Sequence, residues 1–178
     1  MPVMKKTDLV LDKRFDPRNC RHTVNGSPSV LHCHHYATLY AQLADDCSLL
    51  DGKKLLAEVA EDTFSLELAN AFKISGADRL EDRIAVAEQL YAAMGLGKMC
   101  VVCAGRDAGV VELVHSHVDE GWIKKWGKRD KPVNFMTAGY VAALFSTLFG
   151  LPCRSYEVIE SASIVAGAAR SRFDVTAK

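Results

Sequence analysis

The chain lacks an excess of either charge. Over its 178 residues, 22 lysines and arginines face 22 aspartates and glutamates, so no overall field draws it to a phosphate backbone or an anionic bilayer. Nucleic acid is therefore not an expected partner. No stretch approaches the roughly 18 uncharged apolar residues of a membrane span, and no span is expected. The opening residues carry Lys5, Lys6, Asp8, Asp12, Lys13 and Arg14 where a secretion signal needs an apolar run. A cytoplasmic chain is the expectation, and its 6 cysteines are then expected as thiols, not disulfides. A nucleotide loop is missing too: Gly95 and Gly97 have the setting of a helix stop, without the spacing that cradles phosphate. Internal repeats and low-complexity segments are likewise not found.

What is present reads as one domain after an arm. Residues 1–26 mix charges with Pro2, Pro17 and Gly26 and suit an arm or edge strand; residues 27–178 form the domain. Ser27-Pro28 can open a helix, which is predicted over 28–47 with Leu31, Leu39 and Leu43 at helical spacing. A second helix is predicted after Asp51-Gly52 to residue 72, and a third over 78–94. Two β-rich runs, 98–104 and 109–118, flank a turn and predict a hairpin. Helices over 119–126 and 132–149 follow, then strands over 153–161 and 163–175. This order favours an α+β class, with an antiparallel sheet packed against a bundle of helices.

The densest chemistry is Leu31-His32-Cys33-His34-His35-Tyr36. On a helix, His32 and His35 stand three apart and can face one neighbour, while His34 points away; His35 also falls on the stripe of Leu31 and Leu39. His115 and His117, two apart on a strand, share a face with Val111 and Leu113. If helix and strand pack together, His32, His35, His115 and His117 make a site for zinc, iron or another borderline metal. The other reading leaves His32, His34 and His117 solvated, with His35 and His115 as satisfied core or pocket groups. Cys100-Val-Val-Cys103 has knuckle spacing, but in a strand its sulfurs point to opposite faces. Cys33 and Cys153 read as buried small hydrophobes or as pocket thiols. The basic run from Lys124 to Lys131 around Trp122 and Trp126 reads as a solvated face.

Residues 111–149, with Asn134, Phe135, Gly139, Tyr140, Leu144 and Phe145, resemble the core of the 4-vinyl reductase-like family. Glu160, Ser163, Gly167, Ser171 and Phe173 fall at that family's closing pattern E-x-x-C-x-x-x-G-x-x-x-C-x-F, and the resemblance reaches faintly back to Asn25-Gly26-Ser27-Pro28-Ser29-Val30-Leu31-His32. It implies a fold related to vesicle-tethering TRAPP subunits, a homodimer, and an internal pocket for hydrocarbons, aromatics, fatty chains or tetrapyrrole-like molecules, often used for sensing. One departure matters. Both pattern cysteines are serines, whose hydroxyls are poor ligands for soft metals, so any metal those cysteines hold has no place here. No DNA-binding or ATPase segment is read in these residues, and a transcription-factor role is not expected of them. The expected function is binding of a small apolar or aromatic molecule for sensing or delivery, lined by Tyr36, Tyr40, Trp122, Phe135 and Tyr140. The alternative is a small hydrolase or lyase resembling aminothiazoline-carboxylate hydrolases, with His32, His35, His115 or Cys33 supplying ligand, base or nucleophile. A third reading is an interaction subunit with a large apolar dimer face.

Overall fold

Breaks in the hydrophobic pattern decide where elements end. The computed structural model describes residues 7–178. Three short strands, β1 (Lys13–Asp16), β2 (Arg21–Val24) and β3 (Ser27–Ser29), precede three helices, α1 (His34–Asp46), α2 (Gly52–Ser75) and α3 (Leu80–Ala93). A hairpin of β4 (Gly97–Ala104) and β5 (Ala108–Ser116) leads into α4 (His117–Trp126) and α5 (Phe135–Phe149); β6 (Tyr156–Ala162) and β7 (Ser171–Ala177) close the chain. Asp51 caps α2 by accepting from the Lys54 N–H, and Gly76 ends it in the left-handed conformation that glycine takes without strain.

Two antiparallel sheets result. One has the order β1-β2-β3; the other, β4-β5-β7-β6, carries the helices on one face, as the α+β reading requires. Burial alternates along β5 and β7, so Val111, Leu113, Phe173 and Val175 point into the core. Helix α5 is apolar nearly all round because it is the central layer, covered by the sheet and by α2. Its approach to α2 is close: a Cβ on Gly139 would run into the Ala57 carbonyl and the Ala60 side chain. Tyr140, Leu144, Phe145, Leu68, Tyr91 and Val86 complete a single buried cluster. No helix among the described residues is long and apolar enough to cross a membrane.

Several boundaries differ from expectation for identifiable reasons. The first helix starts at His34, because Ser27, Pro28 and Ser29 pair with Val24, Thr23 and His22 as an edge strand, a position that tolerates proline. Its buried stripe is Ala37, Thr38, Ala41 and Ala44, while His35, Leu39 and Leu43 face outward; α4 comes so close at Gly121 that only small side chains fit between. Strand β5 stops at Ser116, which caps α4 by accepting from the Asp119 N–H, so His117 opens a helix and does not share a strand face with His115. The final strand begins only at Ser171, since turns from Ser163 and Ile164 to Ala166, Gly167 and Ala168 occupy the start of the expected run. Cys33 is exposed and Cys153 half-buried, so neither is a core residue. Of the expected arm, residues 1–6 lie outside the described residues.

Candidate functional site

The small N-terminal sheet does not pack flat on the helices. Between them lies a cavity of about 560 Å³, a size that suits a small molecule. Phe15, Val24 and Pro28 wall it from the sheet side and Leu31 from the link to α1. Phe64, Leu90, Met94, Leu96 and Met136 form the opposite wall. Polar groups are fewer, among them Lys13, Arg14, His22, His32, Thr63 and Glu67. Flexible methionines and leucines give such a wall an adaptable shape.

The five aromatic residues expected to line a pocket do not line this cavity. Tyr36 and Tyr40 are 56% and 52% exposed on the outer face of α1. Trp122 is buried in a satellite core with Val118, Val133 and Val165, its ring against Trp126 and beneath the Arg129 guanidinium at 4.9 Å. Phe135 packs at the edge of that core, 5.6 Å from the Lys53 ammonium. Tyr140 is fully buried, donates to the Ala87 carbonyl at 2.7 Å, and meets the cavity-lining Phe64 edge to face at 4.9 Å. It backs the wall from one layer behind. Burial holds its phenol well above the usual range, so it is a neutral donor.

Of the four expected metal-site histidines, the structure brings His32 and His117 together, with ring centres 5.9 Å apart. His34 stands 6.0 Å from His117, whereas His35 is exposed and His115 is exposed beside Glu120 at 3.8 Å. Among the described residues, no three histidine, cysteine or acidic side chains already surround one ion position.

A second cluster joins α4, α5 and the β6–β7 connection. Asp119, wholly buried, accepts from Asn134 Nδ2 at 2.8 Å, Ser171 Oγ at 3.1 Å, the Val165 N–H at 3.1 Å and Ser163 Oγ at 3.3 Å. Asn134 Nδ2 also donates to Glu160 Oε1 at 2.8 Å, and its own oxygen accepts from Ser116 Oγ at 2.9 Å. One amide thus bridges two carboxyl groups. Desolvation pushes Glu160 above its ordinary value, opposed by hydrogen bonds from Ser163 and Asn134 and reinforced by the charge of Asp119. The Ser-x-x-Asp spacing at Ser116 and Asp119 is a helix-start signal that sequence reading passed over.

Comparison with solved structures gives three informative matches. A structure titled as the phenol-responsive sensory domain of the transcription activator PoxR with phenol superposes with a TM-score of 0.75 at 15% identity, over 93% of this chain and 84% of that one. A vinyl-4-reductase family protein from Methanocaldococcus jannaschii gives 0.55 at 14% identity, over 84% of each chain. A trafficking protein particle complex subunit 3 from Naegleria fowleri, covalently bound to palmitic acid, gives 0.53 at 10% identity, over 82% of this chain and 94% of that one. This is the 4-vinyl reductase-like fold, related to that of TRAPP subunits. No family model and no curated protein matches the chain in sequence.

Within this 4-vinyl reductase-like fold, Glu160, Ser163 and Ser171 do converge, as their spacing in the closing pattern implies. What lies among them is the Asn134 amide. Its N–H groups point at the carboxyl oxygens, and hydroxyls replace thiolates, so the donor set does not fit a soft metal. The cluster is a hydrogen-bonded clip in which the serines hold the β6–β7 turn against α4, Ser171 also accepting from the Ile164 N–H at 3.0 Å. Its buried glutamate predicts a pH signature. With a folded value above the ordinary 4.5, the folded state binds the proton longer, so Glu160's contribution to stability falls as pH rises from 4.5 to its raised value. Urea unfolding at pH 5 and pH 7.5 is expected to show wild type losing ground to Glu160→Gln at the higher pH. Parallel pH profiles for the two proteins contradict the assignment.

Proposed function

We propose that this chain binds a small apolar or aromatic molecule in the cavity between the β1-β2-β3 sheet and helices α2, α3 and α5, for sensing or delivery. The supporting observation is the cavity itself: Phe15, Phe64, Leu90, Met94 and Met136 are among the apolar majority of residues around a volume of about 560 Å³. A mostly apolar wall with a handful of polar groups favours a ligand whose burial provides affinity and whose one or two polar atoms set orientation. The fold's likeness to a phenol-responsive sensory domain and to a palmitate-bound tethering subunit supports the same ligand class. Native mass spectrometry of gently purified protein, and titration with the fluorescent dye ANS, test it. Saturable binding of one dye per chain, displaced by phenols or fatty acids, is expected; dye binding that never saturates and that no apolar competitor displaces refutes the proposal.

The same reading includes a homodimer. Tyr36, Leu39, Tyr40 and Leu43 on α1 are all substantially exposed and recur at helical spacing, forming an apolar strip of the kind that marks protein interfaces. A second copy of the chain is its proposed cover. Leu43→Asp, at an exposed site, is expected to leave the fold intact and convert a dimer to a monomer by analytical ultracentrifugation. A wild-type monomer at micromolar concentration, or a variant that still dimerises, counts against it.

A further inference from the structure

Three imidazoles meet where the link before α1 crosses the start of α4. His117 stands between His32 and His34, with ring centres 5.9 Å and 6.0 Å away and rings nearly perpendicular in both pairs. The Nε2 atoms of His34 and His117 are buried and have no hydrogen-bond partner among the described residues. A buried imidazole nitrogen left unpaired is costly, and such atoms in native proteins call for a water, an ion or a ligand. Two of them in one cluster make a stronger demand than either alone.

The surroundings keep these rings in place. A Cβ on Gly121 would fall 2.9 Å from the His34 Cβ and 3.1 Å from its Cδ2, so the missing side chain in α4 makes room for the ring. The Cys33 carbonyl lies 3.3 Å from His32 Nδ1, within hydrogen-bond distance of that ring. An imidazole nitrogen with no hydrogen-bond partner is available to ligate a metal ion.

The geometry points to a site for a zinc-class divalent cation held by His32, His34 and His117. With Zn–N bonds of about 2.0–2.1 Å, two imidazoles on one tetrahedral zinc have ring centres roughly 5 Å apart. Bringing His117 to that spacing with each of its two neighbours, from the present 5.9 and 6.0 Å, takes ring shifts of about an ångström, and His32, which is exposed, has the freedom to swing toward His34. His35, exposed at the next position of α1, lies against His34 with ring centres 4.2 Å apart, and His115, exposed, faces Glu120; neither is assigned to the site. The site stands whether or not the cavity holds a ligand.

The test uses the full chain without an affinity tag, titrated with zinc, and with cobalt for its visible spectrum. One ion per chain is expected, with a melting temperature that rises by roughly 5 °C at about a hundredfold excess over Kd. His34→Ala and His117→Ala are expected to weaken binding more than tenfold, while His35→Ala and His115→Ala bind as wild type. Should His34→Ala or His117→Ala not fold, zinc protection of the wild-type histidines against diethyl pyrocarbonate replaces them: His32, the exposed ligand, is expected to be protected and His22, also exposed, not. Absence of saturable binding, equal losses in the His35 and His34 variants, or no selective protection overturns the site. A protein that binds zinc but no apolar molecule refutes the cavity reading and leaves this one intact.

Discussion

Replacing Asp119 with alanine is expected to lower the unfolding free energy by about 3–5 kcal/mol, because several buried neutral donors lose their acceptor together. The size follows from what is left behind. Asn134 Nδ2, Ser163 Oγ, Ser171 Oγ and the Val165 N–H all donate to this one side chain, and all four residues are buried. Asn134 keeps Glu160 as an acceptor, but the Val165 N–H has no other partner among the described residues and lies where water does not reach. Each stranded donor costs about 1–3 kcal/mol, and shared relaxation keeps the total below their sum. Asp119→Asn retains one acceptor oxygen and is expected to lose about half as much. Urea denaturation of the three proteins measures this. A loss under about 1 kcal/mol for Asp119→Ala shows that the clip does not hold α4 to the β6–β7 turn.

Ala93→Trp is expected to weaken binding of the dye ANS, or of any apolar ligand it reports, at least tenfold, or about 1.4 kcal/mol. Ala93 closes α3, lines the cavity, and is exposed, so an indole there projects into the ligand's space without displacing core atoms. The melting temperature is accordingly expected to change by no more than about 2 °C, because surface substitutions away from special features are nearly neutral. Separating affinity from stability is the point of choosing this residue: Leu90, buried in the same wall, would confound the two. Unchanged affinity in a well-folded Ala93→Trp protein places the ligand elsewhere.

How far the sequence could be read depended on the range of the interactions involved. Helix periodicity and glycine stops located α2, α3, α5 and the β4–β5 hairpin, because caps, turns and amphipathic spacing act over a few residues. The β2–β3 hairpin was also legible in principle: Asn25-Gly26, with φ of 49° and 85°, is the favoured two-residue hairpin turn, yet the charges made residues 1–26 read as an arm or edge strand and Ser27-Pro28 read as the opening of a helix. Once that stretch is a sheet, the cavity beneath it follows, and no local signal announces a cavity. The histidines mark the same limit. Their presence in two short motifs was plain, but which rings meet turns on Ser116 ending a strand and on a glycine at position 121.

Composition and local pattern by themselves determined an α+β chain of balanced charge, its order of elements, and the Glu160, Ser163 and Ser171 spacing that the fold then brings together. Tertiary structure alone decided that His34 and not His35 turns inward, that Tyr36 and Tyr40 face out, and that the Asn134 amide lies between Asp119 and Glu160. The physical reason is that a residue's own helix or strand sets only its direction around an axis. What it meets there is set by neighbours distant in sequence, here Gly121 making room against α1 and Asn134 lying 15 residues from Asp119 and 26 from Glu160.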